Sequence, residues 1–404
     1  MPPDMNDDRD LFSLELKAML KEALAMAIEG EYSSHPDNPC YITRKAYPMF
    51  TEIDNIPLSY EQIPEVILNW AGLDKTKARS LEDILVFDLE TTGLGRGGIF
   101  AFMIGLGYFE QGQYIVEQVF LPDPDAEINS FDRIMELLKT KSLLVTFNGK
   151  TFDVPVLESR LLYHQIWLNI RQMEHLDLLH IARRLWKNKL PSCALETIEF
   201  YILGHIRDKE LDIEGGDIPQ TYFHYLMSGD PELIRRIFVH NHHDILHTGA
   251  LLALICNSTA YPPPSGFDIR IDYHALARLY LSQKQPETAK RILIDLLATG
   301  MVTAEITTDL GLLYKQEKDF EAALDSFEIA SGLASRIGML ELCKLQENYQ
   351  KDYTTALETS KRLEQYLLSR PLVDSKALAL LQKRQNRLQQ KIIKQQDKQN
   401  KQTT

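Results

Sequence analysis

Asp88 and Glu90 stand two residues apart at the end of an apolar run, 84–94, that reads ILVFDLETTGL. Alternate residues of an extended strand point to the same side, so both carboxylates leave one face together. Like charges held that close repel each other, and a divalent cation between them removes the repulsion. The chemistry this predicts is metal binding. Thr91, Thr92 and Gly93 follow directly, offering hydroxyls, backbone donors and a residue without a Cβ where a substrate backbone can come close; Leu94 closes the string.

A buried strand ending in DLETTGL resembles the first motif of the DEDD exonucleases, the RNase H-like 3′-to-5′ nucleases. The resemblance continues along the chain. TFNGKTFDVPVL resembles the second motif, with Asp153 as the acidic residue, Asn148 at a strand end and Phe152 as an aromatic face on which a base can stack. Read by itself, Asp153 would be a helix N-cap. HNHHDILHTGALLALI supplies the third motif's aspartate, Asp244, with His240 four residues before it on the same helix face. In the family's tyrosine branch the general base stands four residues before this aspartate, and in the histidine branch five. Position 239 is Val, so the tyrosine-branch spacing is filled here by a histidine, and His240 is either the general base or a bystander. The strings HLDLLHIARRLW, CALETIEFYILG and DIPQTYFHYL resemble the bacterial YprB-type RNase H-like proteins, which carry tetratricopeptide-like helices after the nuclease-like domain; this resemblance covers residues 40–360, approximately.

The resemblance implies a two-metal phosphodiesterase in which Asp88, Glu90, Asp153 and Asp244 hold two Mg²⁺ or Mn²⁺ ions, one activating water and the other stabilising the leaving 3′ oxygen. Thr91, Thr92, Gly93, Leu94, Asn148 and Phe152 would then meet the substrate, a single strand of DNA or RNA digested from its 3′ end. The alternative is a noncatalytic nucleic-acid-binding adaptor whose helical repeats recruit a protein partner.

The elements that must position these residues are those of an α/β RNase H-like domain with a mixed sheet of five to six strands, expected over 81–260. Strands are predicted at 84–94, 98–108, 114–121 and 142–147, with Gln111-Gly112-Gln113 as a hairpin turn. Helical spacing covers 126–138, 155–164, 176–186, 194–203, 221–227 and 232–255. Asp177 ends a short apolar run and reads as structural. Residues 1–80 form a lead-in with helical spacing at 11–28, an irregular, strand-containing stretch at 41–48 and 55–58, and no assignable chemistry. Tyr261-Pro262-Pro263-Pro264-Ser265-Gly266 is a break that no helix crosses. Beyond it, over 261–370, LARLYLSQKQPETAKRIL recurs as LGLLYKQEKDFEAALDSF. Tyr280 matches Tyr314 and Ala289 matches Ala323, each 34 apart, and a weaker third copy brings Ala356. That period resembles tetratricopeptide repeats. Residues 371–404 are rich in Lys and Gln and read as a helix fraying into a partly disordered tail.

Composition sets the outer limits. A net charge of −13 and a pI near 5.4 exclude a protein that coats duplex nucleic acid by bulk electrostatics, yet they permit a nuclease whose metal ions carry positive charge into a carboxylate site. Arg183, Arg184, Lys187 and Lys189 form the best basic cluster for a nucleic-acid backbone, equally explained as a solvated helix face. Cys40, Cys193, Cys256 and Cys343 show no C-x-x-C spacing, so neither a zinc ribbon nor a disulfide framework is expected. The acidic N-terminus lacks a signal sequence and no stretch approaches a membrane span, which predicts a cytoplasmic protein.

Overall fold

The computed structural model describes residues 5–77, 79–93, 98–263, 266–372 and 374–402. Two compact units make up the chain, Met1–Asp272 and Tyr273–Thr404. In the first, the order of elements begins α1 (Met5–Ala27), β1 (Glu31–Tyr32), β2 (Tyr41–Pro48), β3 (Glu52–Ile53), β4 (Ile56–Pro57) and α2 (Glu65–Ala71). It continues with β5 (Ile84–Thr91), β6 (Ala101–Glu110), β7 (Gln113–Phe120), α3 (Glu127–Leu138), β8 (Leu143–Thr146) and α4 (Asp153–Tyr163). The last elements are β9 (Glu174–Asp177), α5 (Leu178–Trp186), α6 (Leu195–Ile198), α7 (Ile218–Ser228) and α8 (Pro231–Thr259).

Among the described residues, seven strands form one sheet in the order β1-β2-β7-β6-β5-β8-β9. β5, β6 and β7 are an antiparallel meander, and β8 then β9 extend the sheet in parallel from β5. The expected mixed α/β sheet is therefore present, with seven strands in place of five to six. β2 comes from the lead-in and pairs with β7 from Tyr41↔Phe120 to Pro48↔Gln113. Arg44, Lys45 and Pro48 give it the look of an edge strand rather than of an apolar alternation. β9 corrects the helix expected from Leu176: Leu176 and Asp177 are strand, and the helix begins at Leu178. Asp177 ends β9 and caps α5 by accepting from the Leu179 N–H at 3.1 Å, so one apolar run crosses the boundary with no turn residue to mark it.

β5 is buried on both faces for nearly its whole length, which is why it reads as an unbroken apolar run. Between β6 and β7 the turn residues Gln111 and Gly112 both take left-handed backbone (φ 50° and 74°), the requirement of a two-residue hairpin whose twist matches its strands. Successive residues of β7 reach the two covering layers. Glu117 accepts from Arg133 of α3, while the Gln118 amide donates to the Phe238 carbonyl (2.9 Å) and to Asn241 Oδ1 (3.1 Å) of α8. α8 lies close on β6 because Gly105 and Gly107 leave the space: a Cβ at Gly105 would stand 2.5 Å from Asn241 Oδ1 and 2.7 Å from Ile245. No helix of the described residues is long and apolar enough to cross a membrane.

The second unit is helical: α9 (Tyr273–Ser282), α10 (Pro286–Ala298), α11 (Ala304–Gln316), α12 (Phe320–Gly332), α13 (Arg336–Leu345), α14 (Tyr353–Leu368) and α15 (Ser375–Gln402). Its internal repetition is visible in the packing. Ala289, Ala323 and Ala356 are fully buried, and Lys284, Lys318 and Lys351 each turn the chain in left-handed backbone (φ 58°, 66° and 58°) just before the helix carrying that alanine. α15 buries Leu381 and Leu388. It is also tied by charge: Glu347, with 1% of its side chain exposed, accepts from Arg384 Nη1 (2.6 Å), Arg387 Nη2 (2.8 Å) and Lys391 Nζ (2.8 Å).

Burial opposes ionisation of Glu347, but the hydrogen bonds from Arg387 and Lys391 prevail and bring its pKa down to about 2. A depressed carboxyl stabilises the fold above the unfolded value, near ~4.3, and that contribution is lost as pH falls from there toward 2. Glu347→Gln leaves three cations facing a neutral amide and should cost roughly 3 kcal/mol at pH 7, the low end for breaking a buried pair. The difference from the parent should shrink toward pH 2–3, measured as unfolding of the helical unit by circular dichroism; a pH-independent difference would remove the charge network as its cause.

Candidate active site

β5 turns Asp88 and Glu90 toward α8. Asp88 pairs across the sheet with Gly105, and Gly105 with Gln118, so the three lie in one row beneath the helix. Asn241, fully buried, completes the row by donating from Nδ2 to Asp88 Oδ2 at 3.1 Å while Gln118 holds its carbonyl. A register shift between Glu90 and Thr91 breaks the β5–β6 ladder there, as bulges beside functional sites do. Asp153 opens α4 and is buried; the Leu89 backbone N–H donates to it. Asp244 and His240 come from α8 one turn apart, with His240 Nε2 3.7 Å from Asp244 Oδ2. Donor atoms of Glu90, His240 and Asp244 all lie within 4.8 Å of one another. Asp88, Glu90, Asp153, Asp244 and His240 are thus gathered in one place.

The flanking positions have local partners. Thr91 Oγ1 accepts from the Gly93 N–H (3.4 Å) and Thr92 Oγ1 from the Phe100 N–H (3.2 Å), so both hydroxyls shape the turn, where Gly93 takes φ 71°. Leu94 lies outside the described residues. Asn148 is left-handed (φ 72°); its N–H donates to Asp177 Oδ1 at 2.8 Å and its side-chain carbonyl accepts from Thr151 at 2.8 Å. Asp177 also accepts from the Lys150 N–H (3.1 Å), and so anchors the loop that delivers Asp153. Phe152 is 38% exposed beside it.

Four further residues belong to the site without any motif to announce them. Arg207 donates to Asp244 and, through Nε and Nη2, to both oxygens of the fully buried Glu199 at 2.6 Å. Asp212 accepts from His240 Nδ1 at 2.9 Å and stands 3.3 Å from Arg207 Nη1. Arg207 Nη1 also comes within 3.1 Å of His240 Nδ1; with a proton on that nitrogen it donates to Asp212 and the guanidinium satisfies itself elsewhere. Arg207 and Asp212 sit in the charged loop HIRDKELDIEGGD, and Asn241 is hidden in HNHHD beside the histidines. For Arg207 and Asp212 the signal was a loop dense in charge next to a motif helix. His242, by contrast, is structural: it meets the Tyr47 hydroxyl at 2.7 Å, and burial followed by Lys45 pushes its pKa down to about 3.

Crowded carboxylates raise one another's pKa. Burial, then the charges of Asp153, Asp244 and Glu90, hold Asp88 well above the usual carboxylate range. Glu90 is pushed up to about 7, by burial first, with His240 acting the other way and Asp244 adding to the rise. Asp153 reaches about 7 from burial and then Glu90. An oxygen-rich donor set that is unfavourable to ionise alone is the kind of site a hard dication completes. Asp244 and His240 reach a cleft of about 1100 Å³, whose lining also includes Phe200, Tyr201, Arg207 and Asp212.

A model of the RNase H superfamily matches residues 85–256, the stretch that holds every one of these side chains. Over 341 residues the chain is 30% identical to the uncharacterized protein YprB of Bacillus subtilis (strain 168), covering 81% of this chain and 80% of that protein. The chain belongs to the RNase H superfamily. An RNase H-like domain implies nuclease chemistry on a nucleic acid, and the fold usually works with divalent metals. The donor set of Glu90 on β5 with His240 and Asp244 on α8 fits that requirement, and Asp88 and Asp153 crowd against it.

Unfolded carboxyls titrate near ~4, whereas Glu90 and Asp153 titrate near about 7 in the folded domain. As pH rises through this window the unfolded state ionises first, so the cluster's contribution to stability falls between pH 4 and 7 and levels above it. In chelator, Asp153→Asn should flatten that part of the melting-temperature profile, and millimolar Mg²⁺ should raise the parent's melting temperature at pH 8 more than the variant's. Identical profiles for the two proteins would mean that these carboxyls are not held against their charge.

Proposed function

We propose that this chain is a DEDD-type 3′-to-5′ exonuclease releasing nucleotides from single-stranded DNA or RNA. The observation that carries the reading is the crowding of Asp88, Glu90, Asp153 and Asp244, from three separate elements, with the His240 imidazole beside them and with Asp244 and His240 lining a cleft. These four carboxylates would hold two Mg²⁺ or Mn²⁺ ions. Bound there, the ions supply activation of water and neutralisation of the leaving oxygen's charge.

His240 is the general base of this reading. Burial lowers its pKa, but the hydrogen bond to Asp212 and the charges of Asp244 and Glu90 outweigh it and bring the imidazole up to about 9. Positive charge among the carboxylates cancels that attraction, so the neutral form belongs to the loaded site. Asp212, at Nδ1, orients the ring and leaves Nε2 toward the carboxylates, as a carboxylate does for a catalytic histidine. Phe200 and Tyr201, 51% and 57% exposed on the cleft, together with Phe152 provide faces for unstacked bases, which favours a single strand. The helical unit, read as tetratricopeptide-like, would recruit a protein partner through its stacked hairpins. Free thiols at Cys40, Cys193, Cys256 and Cys343 agree with work in the reducing cytoplasm.

Digestion of 3′- and 5′-labelled single strands of both polymers, with Mg²⁺ or Mn²⁺ against chelator, tests the reading. Mononucleotides should leave from the 3′ end; binding without cleavage would make the chain an adaptor instead. Asp88→Asn should abolish hydrolysis at saturating metal and slightly raise the melting temperature of the apo protein by relieving repulsion. His240→Ala should lose on the order of 10²-fold or more in turnover with metal affinity little changed, the usual weight of one positioned base. If that variant cleaves as fast as the parent from pH 6 to 9, His240 is a bystander.

A further inference from the structure

A second constellation lies within the same unit, on the far side of Glu199. β3 and β4 form a hairpin with Ile53↔Ile56 in register, and its two turn residues, Asp54 and Asn55, both take left-handed backbone (φ 50° and 62°). The turn delivers the Asp54 carboxylate to two histidines from elsewhere in the chain. His205 follows the left-handed Gly204 (φ 81°) that ends the turn of helix at Glu199–Leu203, and His247 is on α8 with 1% of its side chain exposed. Asp54 Oδ2 is 3.3 Å from His205 Nδ1 and 3.5 Å from His247 Nε2, and one donor atom from each residue lies within 4.8 Å of the others.

These contacts are not hydrogen bonds. Asp54 Oδ2 and His205 Nε2 are buried, and neither has a hydrogen-bond partner among the described residues. A buried carboxylate oxygen left unsatisfied is costly, so such an atom calls for an explanation. Its spacing offers one. Ligands bound at ~2.0–2.1 Å around a tetrahedral zinc stand about 3.3–3.4 Å apart, the separation found between Asp54 and the two imidazoles. The set also has the expected support behind it: His247 Nδ1 faces Glu199 Oε1 at 2.8 Å, which places the proton on Nδ1 and leaves the Nε2 lone pair toward Asp54.

We propose that Asp54, His205 and His247 form a binding site for one transition-metal dication of the zinc class, with Glu199 fixing the His247 tautomer. Two imidazoles and one carboxylate suit zinc or cobalt and disfavour magnesium or calcium, so this site and the carboxylate cluster select different ions. Asp54 and His205 retain 27% and 21% exposure, which leaves a fourth position open to water. The ion would clamp the β3–β4 hairpin onto α8, giving the segment before β5 a defined task.

The test separates this site from the other by using full-length protein carrying Asp88→Asn and Asp244→Asn, stripped with chelator and held in 10 mM Mg²⁺. Calorimetric titration with Zn²⁺, and with Co²⁺ read by its visible absorption, should show one ion bound in near-tetrahedral geometry. Asp54→Asn in that background should weaken binding by on the order of 100-fold or more, since even residues behind the ligands cost roughly 10- to 100-fold. His205→Gln, on a different segment, should do the same and guards against loss of the hairpin's own fold. Absence of Zn²⁺ uptake by the background protein, or unchanged affinity in either folded variant, overturns the site, whatever the outcome for nuclease activity.

Discussion

The close approach of α8 to the sheet at Gly105 is the constraint on which the site depends. A side chain there would displace Asn241 and Ile245, and with them the helix that carries His240 and Asp244. Because Gly105 stands between Asp88 and Gln118 in the sheet, the bare backbone lets one amide, Asn241, be gripped by β7 and donate to the first carboxylate of β5. Packing and chemistry are joined at a single buried side chain. Interiors are close-packed enough that a shift of tenths of an ångström in such a helix is felt at every group it bears.

Around that contact the charges are arranged as a ledge with opposed ends. The carboxylates at β5 and α4 crowd together until ionisation is disfavoured, while Glu199, Arg207 and Asp212 form a fully engaged network that fixes Asp244 and His240 from behind. A buried network satisfied at every member is rigid, and a half-satisfied one is costly. The first group is therefore suited to accept charge from outside, and the second to hold still while it does.

The meander, the parallel strand after it and the carboxylate pair Asp88 and Glu90 were legible because each obeys a local rule. β5 is apolar throughout since both its faces are covered, and Asp88 and Glu90 share a side by the period of a strand. β9 was not legible, since four strand residues run straight into a capped helix, and β2 showed only as an irregular stretch at 41–48 because its Arg44, Lys45 and Pro48 answer to the sheet edge. Arg207, Asp212 and Asn241 escaped for a different reason. Their roles come from contacts across 28 to 153 positions of chain, and no spacing rule reaches that far.

The sheet's outermost strands are short, two residues in β1 and four in β9. An edge presents unpaired backbone groups in proportion to its length, and those groups are what another chain's strand would seek. β1 covers β2 only at Tyr41 and Ile42, and along the rest of that edge Arg44, Lys45 and Pro48 supply charge and a missing donor, which discourage a further strand. Short margins on one side and a charged, proline-ended edge on the other are two ways of giving a neighbouring strand little to pair with.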